Sequence, residues 1–366
     1  MCAGQLRGMV LPLVSQLQLP MKALLLSAYN KLEVTDLPTP VAGTGELLVR
    51  VAACGICGSD VHGYDGSTGR RIPPIVMGHE AAGVVVQISR DVEGFRKGDR
   101  VTFDSTIYCG ECAFCQLGEV NLCDNRQVLG VSCGDYCRAG AFAEFVVIPA
   151  RIAYHLPENL SFVEAALLEA LAVALHAVSL VPIAPASSAL VVGAGTIGLL
   201  VQQALRAAGY SCVYVTDPDP TRLALSEKLG ATAVLVSGPD LIKNVLQLTG
   251  GTGVGVAIEA VGTTPAIQSS IDCVRKGGSV VLVGNVTPEV TIPLQKVVSR
   301  QVRLQGSCAS AGEYARAIEL MSKGEINVKP LISAIAPLAD GPQWFERLYT
   351  REPNLMKVVL APGSQS

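Results

Sequence analysis

The sequence is poor in charge and in aromatic rings: 16% of its 366 residues are charged, 5% are aromatic, and there is one Trp. Basic and acidic side chains nearly cancel, 28 against 31, for a formal net charge of −3. Without a basic excess the chain has no footprint for a phosphate backbone, and the scarcity of rings argues against base stacking. Nucleic acid is therefore not an expected partner. No run approaches eighteen uninterrupted apolar residues, so no membrane span is expected. The first twenty residues, MCAGQLRGMVLPLVSQLQLP, lack a clean apolar stretch followed by a small-residue cleavage site. They read as an extension outside the fold, with Met21 as the natural first residue and the cytoplasm as the expected compartment.

What the chain does have is apolar bulk and cysteine. Hydrophobic residues make up 49%, and the length suits two domains better than one core. Twelve cysteines are many, and four of them crowd into residues 109–123. A secreted disulfide scaffold would be smaller and would carry an export signal. Reduced thiols, partly holding metal, are expected instead.

The texture changes along the chain. Residues 21–150 read as short strands (LLVRVAA, GVVVQIS, DRVTFDS, FAEFVVIP) cut by Gly and Pro. AALLEALAVALHAVSLV is helical in composition. Beyond it strands (ALVVGAG, CVYVTD, AVLV, VGVAIEAVG, SVVLVGN) alternate with helices (TIGLLVQQALRAAG, PTRLALSEKLG, DLIKNVLQLTG, PAIQSSIDCVRKGG). That alternation implies βαβ units and a doubly wound parallel sheet of the α/β class. A helix at EYARAIELMSKG and a last strand at LMKVVLAP follow. The expected design is a split β-rich domain, 21–171 and 306–366, carrying a metal lobe at 105–125 and interrupted by a nucleotide-binding domain at 172–305.

Gly193-Ala194-Gly195-Thr196-Ile197-Gly198 follows a strand and opens a helix. A lone G-x-G-x-x-G is weak, because small residues also serve close packing. Here Asp217 lies nineteen residues beyond Gly198, at the end of the next strand, which completes the dinucleotide fingerprint. Glycine lets the backbone approach a diphosphate, and the helix N-terminus favours its charge. Asp217 can accept bonds from a ribose diol and would repel a 2′-phosphate, so NAD is expected over NADP. Arg222 is a further candidate for that ribose and leaves NADP open. Val261, near the end of a later strand, joins the cofactor-binding candidates.

Cys109, Cys112, Cys115 and Cys123 give C-x2-C-x2-C-x7-C. Four thiolates suit a closed tetrahedral zinc that braces a loop. An iron–sulfur cluster is the rival, weakened by the lack of Pro after the last Cys and of a second cluster motif. Two other runs offer reactive ligands: Cys54-Gly55-Ile56-Cys57-Gly58-Ser59-Asp60-Val61-His62, and Gly78-His79-Glu80.

With these residues in view, the chain resembles the zinc-containing medium-chain dehydrogenases. GICGSDVH, MGHEAAG, the four-cysteine lobe and GAGTIG occur in that family's order, and the likeness runs from Met21 to MKVVL. It implies a GroES-like β-rich catalytic domain with an inserted Rossmann domain, two zinc ions per chain, NAD, and a homodimer or homotetramer. It puts Cys57 and His79 on the catalytic zinc and leaves Cys54 a bystander. Simple alcohol dehydrogenases have Cys where this chain has Glu169, and the sorbitol dehydrogenase branch has a carboxylate there. In that branch Glu80 and the Glu169 position share the zinc and its water. The branch usually follows this Glu with Pro; here Ala170 stands instead.

An open position on a three-ligand zinc lowers the pKa of a hydroxyl held there, and nicotinamide takes the hydride. Ser59 is expected to receive the hydroxyl proton and pass it towards His62 or water, and Asp60 to orient His79. The alternative for His62 is an ordinary surface imidazole. Glu169 leans the substrate towards polyols, threonine-like compounds or sugars. Arg70 and Arg71 could hold a substrate phosphate, as on galactitol 1-phosphate, or belong to a solvated loop. From another class, the chain could bind NAD without turning it over.

Overall fold

The structure, a computed structural model, describes residues 19–181 and 188–363. The expected extension thus falls outside the described residues up to residue 18. The chain is ordered slightly before Met21: Pro20–Ala28 is a strand, paired antiparallel with Lys31–Pro38, and Thr39 Oγ1 donates to the Leu19 carbonyl at 2.6 Å.

Two compact units form, each from separated segments. The first comprises 19–117, 123–169 and 332–363, and the second 118–122 and 170–331. The return to the first unit therefore comes at Ile332, not at 306. Residues after 305 stay with the second unit because they bond to it. Gln203 Nε2 donates to the Asn327 carbonyl (3.2 Å), and Asn327 N–H donates back to Gln203 Oε1 (2.8 Å).

The first unit is built on a mostly antiparallel sheet. Its strands run in the order Ala153–His155, Arg100–Phe103, Glu80–Ile88, Glu46–Gly55, Lys357–Ala361 and Ile332–Pro337, with Phe145–Pro149 also on Glu46–Gly55. Side chains alternate across a strand, so Leu47, Val49 and Val51 enter the core while Arg50 leaves it. They meet Leu24, Met77, Phe103, Ile148 and Leu360 there, with Phe142 edge-on to Phe345 at 5.7 Å. Register matters most at one end. Gly55 lies opposite both Glu80 and Val359, which gathers the cysteine run, the Gly-His-Glu run and the last strand.

The second unit holds six parallel strands ordered Ala233–Val236, Cys212–Asp217, Ser188–Val192, Val254–Glu259, Val274–Leu282 and Arg303–Gly306. Counted along the chain the order is 3-2-1-4-5-6, and it reverses at Ser188–Val192. Ligands of open parallel sheets bind beyond the carboxyl ends of the strands at such a reversal. Helices Thr196–Ala207, Pro220–Lys228 and Leu241–Leu248 fall where the sequence puts them. The next helix, Thr264–Cys273, stops short of the expected Gly278, and Val274–Leu282 is strand. Gly277 there has φ +70°, which no α-helix accommodates.

Candidate active site

Cys57 stands in extended backbone immediately before the short helix Gly58–Gly63. His79 precedes the strand Glu80–Ile88 and is buried with Glu80. One ligand atom from each of Cys57, His79 and Glu80 lies within 4.8 Å of the others. Ser59 Oγ bridges this group, 3.3 Å from Cys57 Sγ and 3.5 Å from His79 Nε2. On the other side of the ring, Asp60 Oδ1 lies 3.4 Å from His79 Nδ1. Burial works against a charge on His79, but Asp60 outweighs it and leaves the imidazole more basic than usual. Burial likewise opposes ionisation of Asp60, yet His79 and Arg71 bring its carboxyl down to about 2.

Glu169 is not part of that converging trio among the described residues. It opens the helix Leu168–Ser179, accepts from Ser105 Oγ at 3.1 Å, and is raised to about 7, chiefly by desolvation. His62 sits half-buried on the short helix, and no hydrogen bond joins it to Ser59 among the described residues. Cys54 is fully buried in the core, which pushes its thiol up.

Two charged residues near the site differ from their sequence reading. Arg71 is not available to a substrate phosphate. It is 4% exposed and donates to Asp60 Oδ1 from Nε (3.2 Å) and Nη2 (3.0 Å). Asp60, closed off from water, needs a counter-charge, and Arg71 supplies it. Arg70 is exposed. Lys357 went unnoticed in the sequence. Its Nζ lies 2.6 and 2.8 Å from the two Glu80 oxygens and 3.2 Å from the Ile56 carbonyl, all buried. Burial pulls the Lys357 pKa down, but the Glu80 charge overcomes it and keeps the ammonium. The available signal was one lysine in the otherwise apolar run KVVLA.

The four thiols at 109–123 also converge within 4.8 Å. The Glu111 and Cys112 N–H groups lower Cys109 to about 6, whereas desolvation and the neighbouring thiols raise Cys115 to about 12.

In the second unit Gly193 (φ +99°) lies against Val261, and a Cβ on Gly198 would overlap the Gly193 carbonyl oxygen. Gly195 is the N-cap of the helix that begins at Thr196 and Ile197, and it makes no side-chain cap hydrogen bond. Asp217 Oδ2 accepts from Ala194 N–H at 2.7 Å, and Oδ1 from Asp219 N–H at 2.9 Å. Arg222 lies 3.7 Å from Asp219 and is substantially exposed. The structure adds Glu259, fully buried at the end of its strand. It accepts from Val261 N–H (2.8 Å) and Gly262 N–H (2.8 and 3.0 Å), which shapes the turn carrying Val261.

Residues 43–158 match the alcohol dehydrogenase GroES-like domain, and residues 196–323 match the zinc-binding dehydrogenase domain. Sorbitol dehydrogenase of Bacillus subtilis (strain 168) is 31% identical over 348 residues, 94% of this chain and 98% of that protein. The chain belongs to the zinc-binding alcohol dehydrogenase family. An L-idonate 5-dehydrogenase of Vitis vinifera is 34% identical over 302 residues, covering 80% of this chain and 81% of that one. A zinc-binding dehydrogenase of Sinorhizobium meliloti 1021, solved with NADP bound, superposes with a TM-score of 0.85 at 34% identity, covering 94% of this chain and 100% of that chain.

The donors present fit the metals this family implies. Four converging thiols are the donor set of a closed tetrahedral zinc, and nothing in that set leaves an open position. The buried cluster offers Cys, His and carboxylate, a mixed set suited to a reactive zinc. Among the described residues His79 Nδ1 and Asp60 Oδ2 have no hydrogen-bond partner, and the Asp60 carboxylate, its Oδ1 3.4 Å from Nδ1, is the group placed to hold the ring while Nε2 faces Cys57 and Ser59.

Proposed function

We propose that this dehydrogenase oxidises a secondary alcohol of a polyol or sugar-type substrate, with NAD as hydride acceptor. The convergence of Cys57, His79 and Glu80 beside the Ser59 hydroxyl carries the reading. Zinc held by Cys57 and His79, with Glu80 or Glu169 as the third ligand, supplies a Lewis acid that makes an alcohol easier to deprotonate. Nicotinamide supplies the hydride acceptor. Ser59 Oγ receives the alcohol proton and passes its own on to water, and Asp60 keeps His79 oriented. Cys109, Cys112, Cys115 and Cys123 hold the second, structural zinc.

Glu169, where simple alcohol dehydrogenases carry Cys, supports a polyol, as do the sorbitol and idonate relatives. The polyol-phosphate reading is left with the exposed Arg70 alone, because Arg71 is spent on Asp60. For the cofactor, Gly193, Gly195, Thr196, Ile197, Gly198 and Val261 form the diphosphate cradle, and Asp217 favours a free 2′-hydroxyl. Asp217 and Arg222 support NAD and NADP respectively, and the NADP-bound relative makes the comparison worth measuring. Among the described residues eleven cysteines are free, which supports a reducing compartment such as the cytoplasm, and no helix is long and apolar enough to cross a membrane. Exposed Leu294 and Val298 beside the edge strand Arg303–Gly306 support a homo-oligomer.

The deciding experiment measures zinc per chain and then NAD and NADP reduction over a panel of polyols, polyol phosphates, threonine and simple alcohols. Two zinc per chain with NAD-linked turnover of a polyol is the expected result. Turnover confined to phosphorylated substrates, or none at all with zinc in place, would overturn it.

A further inference from the structure

We propose that Arg71 is a positioning residue of the Cys57–His79 centre, bracing Ser59 and Asp60 as one unit behind the metal ligand. The inference rests on the zinc reading above. Among the described residues Arg71 spends its donors on this site and its own backbone: Nε and Nη2 donate to Asp60 Oδ1, Nη2 also donates to Ser59 Oγ at 3.3 Å, and Nη1 to the Arg70 carbonyl at 3.1 Å. A guanidinium keeps its charge and offers a rigid fork of donors. Here the fork closes on the carboxylate oxygen that faces His79 Nδ1, and on the hydroxyl that faces His79 Nε2. One side chain therefore fixes the groups on both edges of the imidazole. Arg71 donates to one Ser59 lone pair while the hydroxyl donates to Cys57 Sγ at 3.3 Å, which leaves the other lone pair to receive a substrate proton.

The fold reserves the space for this brace. Gly63 closes the helix that carries Ser59 and Asp60, and a Cβ there would run into Cγ of Arg71. The backbone at 70–72 is itself tied down: Ile72 N–H donates to the Ser132 carbonyl (3.0 Å), and Ser132 N–H to the Arg70 carbonyl (3.3 Å). The guanidinium thus arrives from a segment bridged to Ser132. Groups that hold a metal-ligating histidine set its affinity for the metal, and Arg71 extends the His79–Asp60 pair by one member.

The test follows release of zinc from the loaded, full-length enzyme to a chelating dye, alongside turnover. In Arg71→Met, one zinc per chain is expected to leave about 10- to 100-fold faster, while the other leaves at the wild-type rate. Arg71→Lys, whose ammonium cannot span both groups, is expected to fall between Met and wild type, and carries the test if Arg71→Met fails to fold. In Arg71→Ala, added guanidinium is expected to slow the release again, which a purely structural loss would not show. Release indistinguishable from wild type in Met and Lys variants, or equal acceleration at both zincs, would overturn the assignment. A wild-type chain that holds two zincs but reduces no NAD would sink the reaction proposed above and leave this comparison standing.

Discussion

The chain's two clusters of metal ligands are built on opposite principles. At Cys109, Cys112, Cys115 and Cys123, three half-buried thiols and one buried one are shaped by backbone N–H groups of their own loop: Cys112 N–H donates to Cys109 Sγ at 3.4 Å, and Cys109 N–H to Cys123 Sγ at 3.3 Å. At Cys57, His79 and Glu80, distant segments converge, and buried charges stand behind the ligands: Asp60 with Arg71, and Lys357 with Glu80. A loop can make the first site alone, whereas the second needs the whole sheet. Local wiring suits a metal that only braces a loop. Remote, charge-backed wiring suits one whose ligands must hold their aim while substrate comes and goes.

The largest effects should separate the two centres. Cys57→Ser or His79→Ala is expected to remove one zinc of two and to cut kcat/KM roughly a thousandfold, the several kcal/mol of charge stabilisation a metal supplies. Cys112→Ser is expected to remove the other zinc and lower the melting temperature, while freshly prepared folded enzyme keeps most of its kcat. Elemental analysis, steady-state kinetics and calorimetry on the same preparations check both. If either variant lost both metals, the contrast between independent sites would fail.

Next in size is the charge behind Glu80. Lys357→Met leaves a buried carboxylate without its partner and is expected to cost about 3–5 kcal/mol. The double variant Glu80→Gln/Lys357→Met should recover much of that in denaturant unfolding. A single-variant loss below that of an ordinary surface pair would show that the metal, not Lys357, neutralises Glu80.

These contrasts also explain what could be read from the sequence. The four-cysteine lobe, the glycine-rich turn with Asp217, and the alternation of strands and helices are local patterns, and the chain order shows them directly. Cys57 and His79 were legible because the motif likeness carries them. Lys357 lies 277 residues from Glu80, and only the pairing of the last strand with Glu46–Gly55 brings them together. Arg71 misled for the same reason: its neighbours in sequence are loop residues, while its partner Asp60 is reached across the space that Gly63 leaves. Glu259 gave no local sign, since a carboxylate ending a strand does not reveal that the Val261 and Gly262 N–H groups will fold back on it. The domain return at Ile332 was missed because the helix Tyr314–Ser322 looks alike in either unit until its contacts are known.

A smaller effect tests the cofactor end of the comparison. Asp217→Ala removes the charge facing a 2′-phosphate and frees Ala194 N–H, so KM for NAD should rise while the preference against NADP shrinks. One such contact is worth about 1–3 kcal/mol, or roughly ten- to a hundredfold in the ratio of kcat/KM values. An unchanged ratio would remove Asp217 from cofactor selection and leave it a brace for the glycine-rich turn.

The smallest expected effect lies in the segment interposed between Cys115 and Cys123. Asn121 Nδ2 donates to the Cys308 carbonyl (2.8 Å) and contacts His176 Nε2 (3.2 Å), and His176 Nδ1 lies 2.8 Å from Glu313 Oε1. Burial alone would raise the Glu313 carboxyl, but His176 and the Ala311 N–H outweigh it and hold it below its ordinary value. A carboxyl lowered by folding stabilises the native state above its unfolded pKa, and that contribution fades as pH falls through the folded one. The acid limb of a melting-temperature profile should therefore carry a component from this pair, and Glu313→Gln should flatten it without altering stability's slope near neutrality. Cys57→Ser should leave that component intact, because the pair belongs to the second unit. A Glu313→Gln profile that tracks wild type throughout the acid range would show that His176 and Asn121 hold this segment without help from charge.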